Sequence, residues 1–294
     1  MANLRDIRTR IGSVKTTRQV TSAMKMVSAA RLKKAQDNIS HIRPYTGKMA
    51  GILAHLAASL DKPVAFDYSI PKKNGKTLIL VIASNRGLCG GFNANIVKAV
   101  QNLIFGDLKH EYQSGKIAIS ILGRQAEKMF KSRNINVDET HHDLIQTTSF
   151  SAISKFADKL MQQFSAGVYS KVIVVYNEFV NAAVQTVKSY QYLPFEITIP
   201  DDARVESSYY IYEPDPLTII HSLVPNMLHA MLFQIVLESQ ASEHGARMTS
   251  MHKATDNATD LIKELQLGYN KARQTAITNQ IVEITGGAEA LNNG

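Results

Sequence analysis

From Asp215 to Thr285 the sequence reads as one helix of about seventy residues, which at about 1.5 Å per residue would reach roughly 105 Å. A compact domain of 294 residues has a diameter of only about 50 Å, so such a helix predicts a rod that must find company outside a globule. Asp215 before Pro216 is a good start, because a carboxylate accepts orphan N–H bonds and proline at the first helical position loses none. Pro225 is expected to kink the rod, and Gly286-Gly287 to stop it. In between, apolar residues recur at Leu217, Ile220, Val224, Met227, Met231 and Ile235, then at Met248, Met251, Leu261, Leu265, Tyr269, Ala272 and Ala276, mostly in helical steps of three and four.

The first forty residues repeat this theme. Leu4, Ile7, Ile11 and Val14 have the seam spacing of a coiled coil; the stripe then breaks across Thr16 to Gln19 and resumes displaced at Val20, Met24 and Val27. Pro44 is expected to close this stretch, with a further helical run around Met49, Ile52, Leu53, Leu56 and Leu60. Two long, half-apolar helices at opposite ends of a chain most simply pair with each other, antiparallel, around a globular insert. Small residues at Ala241, Ser242, Gly245, Ala246, Thr249, Ser250, Ala254 and Ala258 would permit close helix approach.

The insert reads differently. Asp61 to Lys76, with Pro63, Pro71 and Lys72-Lys73-Asn74-Gly75, is a turn-rich linker. Strands are expected over Thr77 to Ala83, Lys116 to Leu122, Lys171 to Phe179 and Val184 to Tyr192, the last two joined by a turn at Asn181 to Ala183. Helices are expected over Phe92 to Phe105, Arg124 to Lys131 and Ser151 to Phe164. This alternation predicts a parallel sheet with an antiparallel edge hairpin. The fold class is α/β: a long antiparallel coiled coil of the terminal helices, residues 1–60 and 215–294, with a Rossmann-like α/β domain over 77–192. Residues 61–76 are a linker, and 193–214 a connecting segment.

A composition of 45% hydrophobic and 20% charged residues is that of an ordinary globular protein. No apolar run approaches the roughly eighteen residues of a membrane span, so no direct membrane insertion is expected. The single cysteine, Cys89, excludes an internal disulfide and points to a reducing compartment. Residues 1–48 carry eleven Lys/Arg against two Asp, a balance of +9 where the whole chain carries +8, so the basic excess is local to the first helix. An Arg-rich, acid-poor start resembles a transit peptide, yet the periodicity runs on without a cleavage break. A nucleic-acid arm would neutralise phosphates, but the basic residues from Arg5 to Lys34 fall around most of the circumference with no aromatic among them. The remaining readings are a solvated basic face on a coiled coil, or a shaft facing an acidic protein surface.

A search for chemistry finds little. Gly87, Gly90 and Gly91 lie between a strand and a helix, but G-x-x-G-G is neither dinucleotide nor phosphate-loop spacing, and a tight turn with Cys89 buried is the expected role. His141-His142-Asp143 lacks further metal ligands, and His244 after Glu243 lacks a second histidine. No catalytic, cofactor or metal site is expected.

Ordered motifs resemble one family along nearly the whole chain. They run from Ile7 to Ile11, Thr21 to Ala30, Ser84 to Asn93, Tyr210 to Pro216, Glu243 to Met251, Ala254 to Ala258, and Tyr269 to Gln274 with Ile277-Thr278. These segments are similar to the γ subunits of F-type ATP synthases. The resemblance implies a central-stalk rotor, in a complex peripheral to the cytoplasmic face of a bacterial plasma membrane. It would transmit torque between a membrane ring of c subunits and a catalytic hexamer of α and β subunits, with the ε subunit at its foot and the chemistry residing in β. It further implies that Met24 and Lys25 face acidic loops of β, and that Arg247, Arg273, Gln274 and Thr278 are partner contacts; a guanidinium suits this because its fork meets a carboxylate with two bonds. Asn85 stands where the family usually has Asp, and Gln280 where it commonly has Glu, which leaves an ion pair at either place in doubt. The alternatives are a coiled-coil adaptor with a basic nucleic-acid arm, and a nucleotide-binding enzyme using the Gly87 turn.

Overall fold

The computed structural model describes residues 4–60, 66–146, 148–182, 184–199 and 211–292. In chain order its elements are α1 (Leu4–Ala58), β1 (Lys76–Ile82), α2 (Phe92–Phe105), α3 (Lys109–Gln113), β2 (Ile117–Leu122), α4 (Arg124–Lys131), β3 (Glu139–Thr140), α5 (Asp143–Gln146), α6 (Phe150–Ser165), β4 (Tyr169–Phe179), β5 (Gln185–Leu193) and α7 (Pro216–Asn292). Positions 61–65 of the expected linker, 200–210 of the expected connecting segment and Ala183 of the expected turn lie outside the described residues. Two compact units result: Ser28–Arg247, and residues 4–27 with 248–292.

In the larger unit, period-two alternation along β1 sends Leu78, Leu80 and Ile82 into one apolar cluster and Ile79, Val81 and Ala83 into another. A strand buried on both faces belongs in the middle of a covered sheet, and the strand order is β3-β2-β1-β4-β5. β2 and β4 run parallel to β1, β3 parallel to β2, and β5 antiparallel to β4 at the edge, as the alternation of elements predicts. Gly123 starts α4 at φ 111, where a Cβ would stand 2.3 Å from the Ala83 carbonyl oxygen, so only glycine fits this turn.

One face of the sheet is covered by Ile96, Val97, Val100 and Ile104 of α2 and by Phe130 of α4. The other is covered by Ile153, Phe156, Leu160 and Phe164 of α6, Leu53 and Leu56 of α1, and Ile220, Val224, Leu228 and Leu232 of α7. Ser149 caps α6, its side chain accepting from Ala152 N. Asp215 caps α7 as anticipated, accepting from Thr218 N at 2.9 Å and Thr218 Oγ1 at 2.6 Å, bonds that pull its carboxyl below the usual range. From Pro216 to Leu237 no residue is Lys, Arg, Asp or Glu, and, contrary to the sequence expectation, α7 includes a stretch apolar and long enough to cross a membrane. Here that stretch is a core helix, its Ile220, Leu228, Leu232 and Val236 side chains wholly buried.

Three sequence expectations about the long helices are corrected. α1 continues through Pro44 to Ala58, because Thr46, Met49, Leu53 and Leu56 beyond the proline are buried and tertiary packing outweighs one lost backbone bond. α7 continues through Gly286-Gly287, neither of which adopts the positive φ of a C-terminal glycine cap. The α1 stripe does not shift after Val14. Partly or fully buried positions recur at Leu4, Ile7, Ile11, Val14, Arg18, Thr21, Lys25, Ser28, Leu32, Ala35 and Ile39, a three-four alternation that keeps its register through four polar residues, with Ser22, Met24, Ala29 and Gln36 partly buried beside it. Val20, Met26 and Val27 are left exposed.

α7 shows the matching alternation at Met248, Met251, Thr255, Ala258, Ile262, Leu265, Tyr269, Ala272 and Ala276. Within the smaller unit Thr255 Oγ1 donates to Thr21 Oγ1 at 2.8 Å, and Lys25 Nζ lies 3.4 Å from His252 Nδ1. Within the larger unit Arg43 Nε donates to Glu238 Oε1 at 3.1 Å and Thr46 Oγ1 to Gln234 Oε1 at 2.6 Å. Rising numbers on α1 meet falling numbers on α7 in both places, so the helices run antiparallel. Continued in heptad steps, the same register sets Arg18 opposite Ala258, whose small side chain leaves room for the arginine stem, and Leu4 opposite Ala272.

Gly245, expected to ease helix–helix approach, instead meets the β4–β5 turn, where a Cβ would lie 3.2 Å from both Cα and O of Ala182. At Gly51, inside α1, a Cβ would meet nothing within 4 Å. Gly51→Ala therefore stabilises by about 0.5–1 kcal/mol through helix propensity alone. Gly245→Ala loses that gain to overpacking and destabilises by about 1–2 kcal/mol. Urea unfolding of the two variants checks the opposite signs.

Candidate functional site

In open α/β sheets ligands bind outside the carboxyl ends of the strands, where the strand order reverses, which here is between β1 and β4. In this chain α7 occupies that place. Ser239 Oγ donates to Ile82 O at 3.4 Å, Gly245 abuts Ala182 after β4, and Arg247 reaches the loop that follows β1. The loop is closed on itself: Asn93 Nδ2 donates to Ser84 Oγ at 2.8 Å and lies 3.1 Å from Cys89 Sγ, while Asn93 Oδ1 accepts from Ser84 N at 3.1 Å. Cys89 is buried, and burial pushes its thiol up despite the Ser84 hydrogen bond and nearby Arg247, the reverse of what a nucleophile needs. The Gly87 turn thus serves as the tight connection expected, with no phosphate cradle left open above it.

Arg247 is the centre of this arrangement. Its Nη2 pairs with Glu243 Oε1 at 2.6 Å and donates to Arg86 O at 2.9 Å, Nε donates to Gly87 O at 3.2 Å, and Nη1 lies 3.4 Å from His244 Nδ1. The resemblance implies a partner contact for Arg247; the structure instead buries the guanidinium to 7% exposure and engages each of its nitrogens within the unit, as a staple between α7 and the β1–α2 loop. Burial drives the Glu243 carboxyl up, opposed by the Arg247 charge and hydrogen bond. Burial first, then Arg247 and Arg31, drives His244 down to about 4. Asn85 has its own reason for being an amide: Nδ2 donates to His142 O at 3.0 Å while Oδ1 accepts from Arg124 N at 3.2 Å. A carboxylate there could not make the first bond. His142 and His141 each meet a carboxylate, Glu127 at 3.1 Å and Glu139 at 3.0 Å, and no group of three or more metal-ligating side chains occurs among the described residues.

The other proposed contact residues fall in the smaller unit. Met24 and Lys25 are half-buried, Lys25 on the seam itself, next to the exposed Val20, Met26 and Val27. Arg273, Gln274 and Thr278 are exposed on α7, with Thr278 Oγ1 donating back to Gln274 O at 3.0 Å. Beyond Ala276 the α1–α7 register has passed the first described residue of α1. Yet Ile277, Ile281, Val282 and Ile284 continue the apolar run at 48%, 56%, 62% and 71% exposure. None of these four is named as a candidate contact in the sequence analysis. The signal available was apolar spacing that outlasts the partner helix.

His244 makes the buried cluster sensitive to acid. Its folded value of about 4 lies below the ordinary 6.5, so between those values the unfolded chain binds more protons than the folded one. Stability is complete above pH 6.5 and falls as the pH drops toward 4, by no more than about 3 kcal/mol from this residue. Urea midpoints across pH 4 to 7 should decline steeply in the natural chain and more gently in His244→Gln.

The family model described as ATP synthase matches residues 3–291. The ATP synthase gamma chain of Flavobacterium psychrophilum is 45% identical over 292 residues, covering 99% of each chain, and that of Chlorobaculum tepidum is 40% identical over 293 residues with the same coverage. Among solved structures, a chain of the Euglena gracilis mitochondrial ATP synthase in its OSCP/F1/c-ring assembly superposes with a TM-score of 0.67 at 21% identity, covering 99% of this chain and 95% of that one. A chain of the rotor of the same enzyme gives 0.61 at 23%, covering 93% and 98%. The fold is thus shared with those chains, and full-length identity well above 30% shows that this chain belongs to the ATP synthase gamma chain family.

Proposed function

We propose that the chain is the central rotor of a bacterial F-type ATP synthase, carrying torque between an ion-driven c ring and a hexamer of α and β subunits, with ε at its foot. The observation that carries this reading is the end of α7. Arg273, Gln274 and Thr278 stand exposed beside Ile277, Ile281, Val282 and Ile284, with no helix of this chain to cover them among the described residues. A run of four exposed branched apolar side chains is a surface for a protein partner. Arg273 beside them supplies a fork for a partner carboxylate. On α1, exposed Val20, Met26 and Val27 near Lys25 form a second surface of the same kind, suited to acidic loops of β.

The role is mechanical rather than chemical. The place where an α/β sheet would hold a nucleotide is filled by α7, and its buried Arg247 joins helix to sheet so that a load on one reaches the other. Catalysis then belongs to the partner subunits, and the complex lies on the cytoplasmic face of the plasma membrane. The nucleotide-binding alternative finds no open phosphate loop at the Gly87 turn, and the nucleic-acid alternative no aromatic among the basic residues from Arg5 to Lys34.

The test is co-purification. Tagged chain should bring down the α/β ring at low salt, and absence of that ring would refute the rotor reading. Arg273→Ala with Gln274→Ala should leave the melting curve of the isolated chain unchanged, because both side chains are exposed. It should lower ATP synthesis by the assembled enzyme several-fold, by about 1–2 kcal/mol of lost contact. Equal synthesis rates in both enzymes would remove these residues from the contact.

A further inference from the structure

The larger unit contains a cleft of about 840 Å³ that the rotor role leaves unused. One wall is α7 with Leu237, Gln240 and His244, the second is α1 with Arg31 and Lys34 one turn apart, and the third comes from loops following β1, β2 and α5. Those loops contribute Arg86 and Ser149, and Arg124, the first residue of α4, follows directly on the loop after β2. The cleft therefore lies at the carboxyl ends of the parallel strands, beside the position α7 has filled, where open α/β sheets bind ligands.

Its electrostatics are one-sided. Arg31, Lys34, Arg86 and Arg124 all line it, and among the described residues none of their side chains forms an ion pair. The one carboxylate in the lining, Glu243, is buried and held by Arg247 at 2.6 Å; the charges of Arg31 and Arg86 reach it more weakly, and neither forms an ion pair with it. Between the cations stand neutral donors, Asn38, Gln146 and Ser149 among them. His244 is neutral at physiological pH and adds no further charge to the wall. Four unpaired cations gathered from three segments around a concave space attract a compact multivalent anion, since several forks can then converge on adjacent oxygens. The lining has no Phe, Tyr or Trp to hold a nucleobase, and only Ala35, Ile145 and Leu237 are apolar, too little to anchor a peptide.

We propose that this cleft binds a condensed phosphate, a diphosphate or triphosphate group clamped by Arg31, Lys34, Arg86 and Arg124. The recognised chemistry is the phosphate chain, whether free or carried by a nucleotide.

The test is calorimetric titration of the full chain at low salt with pyrophosphate, tripolyphosphate, ATP and hexaglutamate. Pyrophosphate and tripolyphosphate should bind, and ATP no more tightly than tripolyphosphate. Arg31→Gln, Arg86→Gln and Arg124→Gln, all at exposed side chains, should each weaken pyrophosphate about tenfold. Lys116→Gln removes the same charge at the opposite end of β2 and should leave the affinity unchanged. No heat from pyrophosphate, an equal loss in Lys116→Gln, ATP binding more than tenfold tighter than tripolyphosphate, or hexaglutamate outcompeting pyrophosphate would each overturn the proposal.

Discussion

A helix of 77 residues cannot be held by its own backbone hydrogen bonds, which in water are only marginally favourable, and so needs apolar cover along its length. In α7 that cover changes character. Near the start it is the core of an α/β unit, where Leu228, Leu232 and Val236 are fully buried; between Met248 and Ala276 it is a heptad seam shared with α1; beyond that, this chain provides none among the described residues. The third condition is the one for which we propose cover by other proteins, and it is where the exposed isoleucines and Arg273 lie. One requirement, cover for an apolar stripe, thus accounts for the core, the pairing and the proposed contact surface.

The α/β unit shows how a fold suited to binding can be turned into a mount. Its carboxyl edge is taken up by α7, and the fastenings are specific: Ser239 to the end of β1, Gly245 against the turn after β4, and Arg247 to two loop carbonyls. Removing the guanidinium would leave Glu243 buried without its hydrogen-bonded counter-charge, with only the charges of Arg31 and Arg86 nearby, a loss of about 3 kcal/mol. The arginine and carboxylate therefore form a joint as well as an ion pair. The space left over at the same edge became the basic cleft.

Most of the fold is legible in the sequence because its signals are strong. The β1, β2, β4 and β5 runs are bounded by turn residues, Asp215-Pro216 marks a helix start, and α2 and α4 fall where periodicity places them. The short α3, β3 and α5 carry too few residues for any period to register. The unshifted seam through Arg18, Thr21, Lys25 and Ser28 was hidden because apolarity alone pointed to Val20 and Val27. Only the helix geometry shows that polar side chains hold the register while valines face outward. Pro44 and Gly286 misled for a related reason: they are local breakers overridden by packing or by neighbouring helix. Of the proposed contact residues, Arg273 and Gln274 come from the resemblance, and the structure shows both exposed. The inward role of Arg247 was not, since nothing in its neighbours along the chain announces the β1–α2 loop.

The antiparallel register of α1 against α7 is the claim on which these readings rest, and paired cysteines test it most directly. Thr21 and Thr255 touch through their hydroxyls at 2.8 Å, close enough for Cys replacements to reach disulfide geometry. With Cys89→Ser removing the natural thiol, Thr21→Cys with Thr255→Cys should oxidise rapidly and completely in the full chain. Thr21→Cys with Thr259→Cys, one helical turn away, should remain reduced under the same conditions. Equal oxidation of both pairs, or preference for the second, would contradict the register and with it the account of how the two ends of this chain are joined.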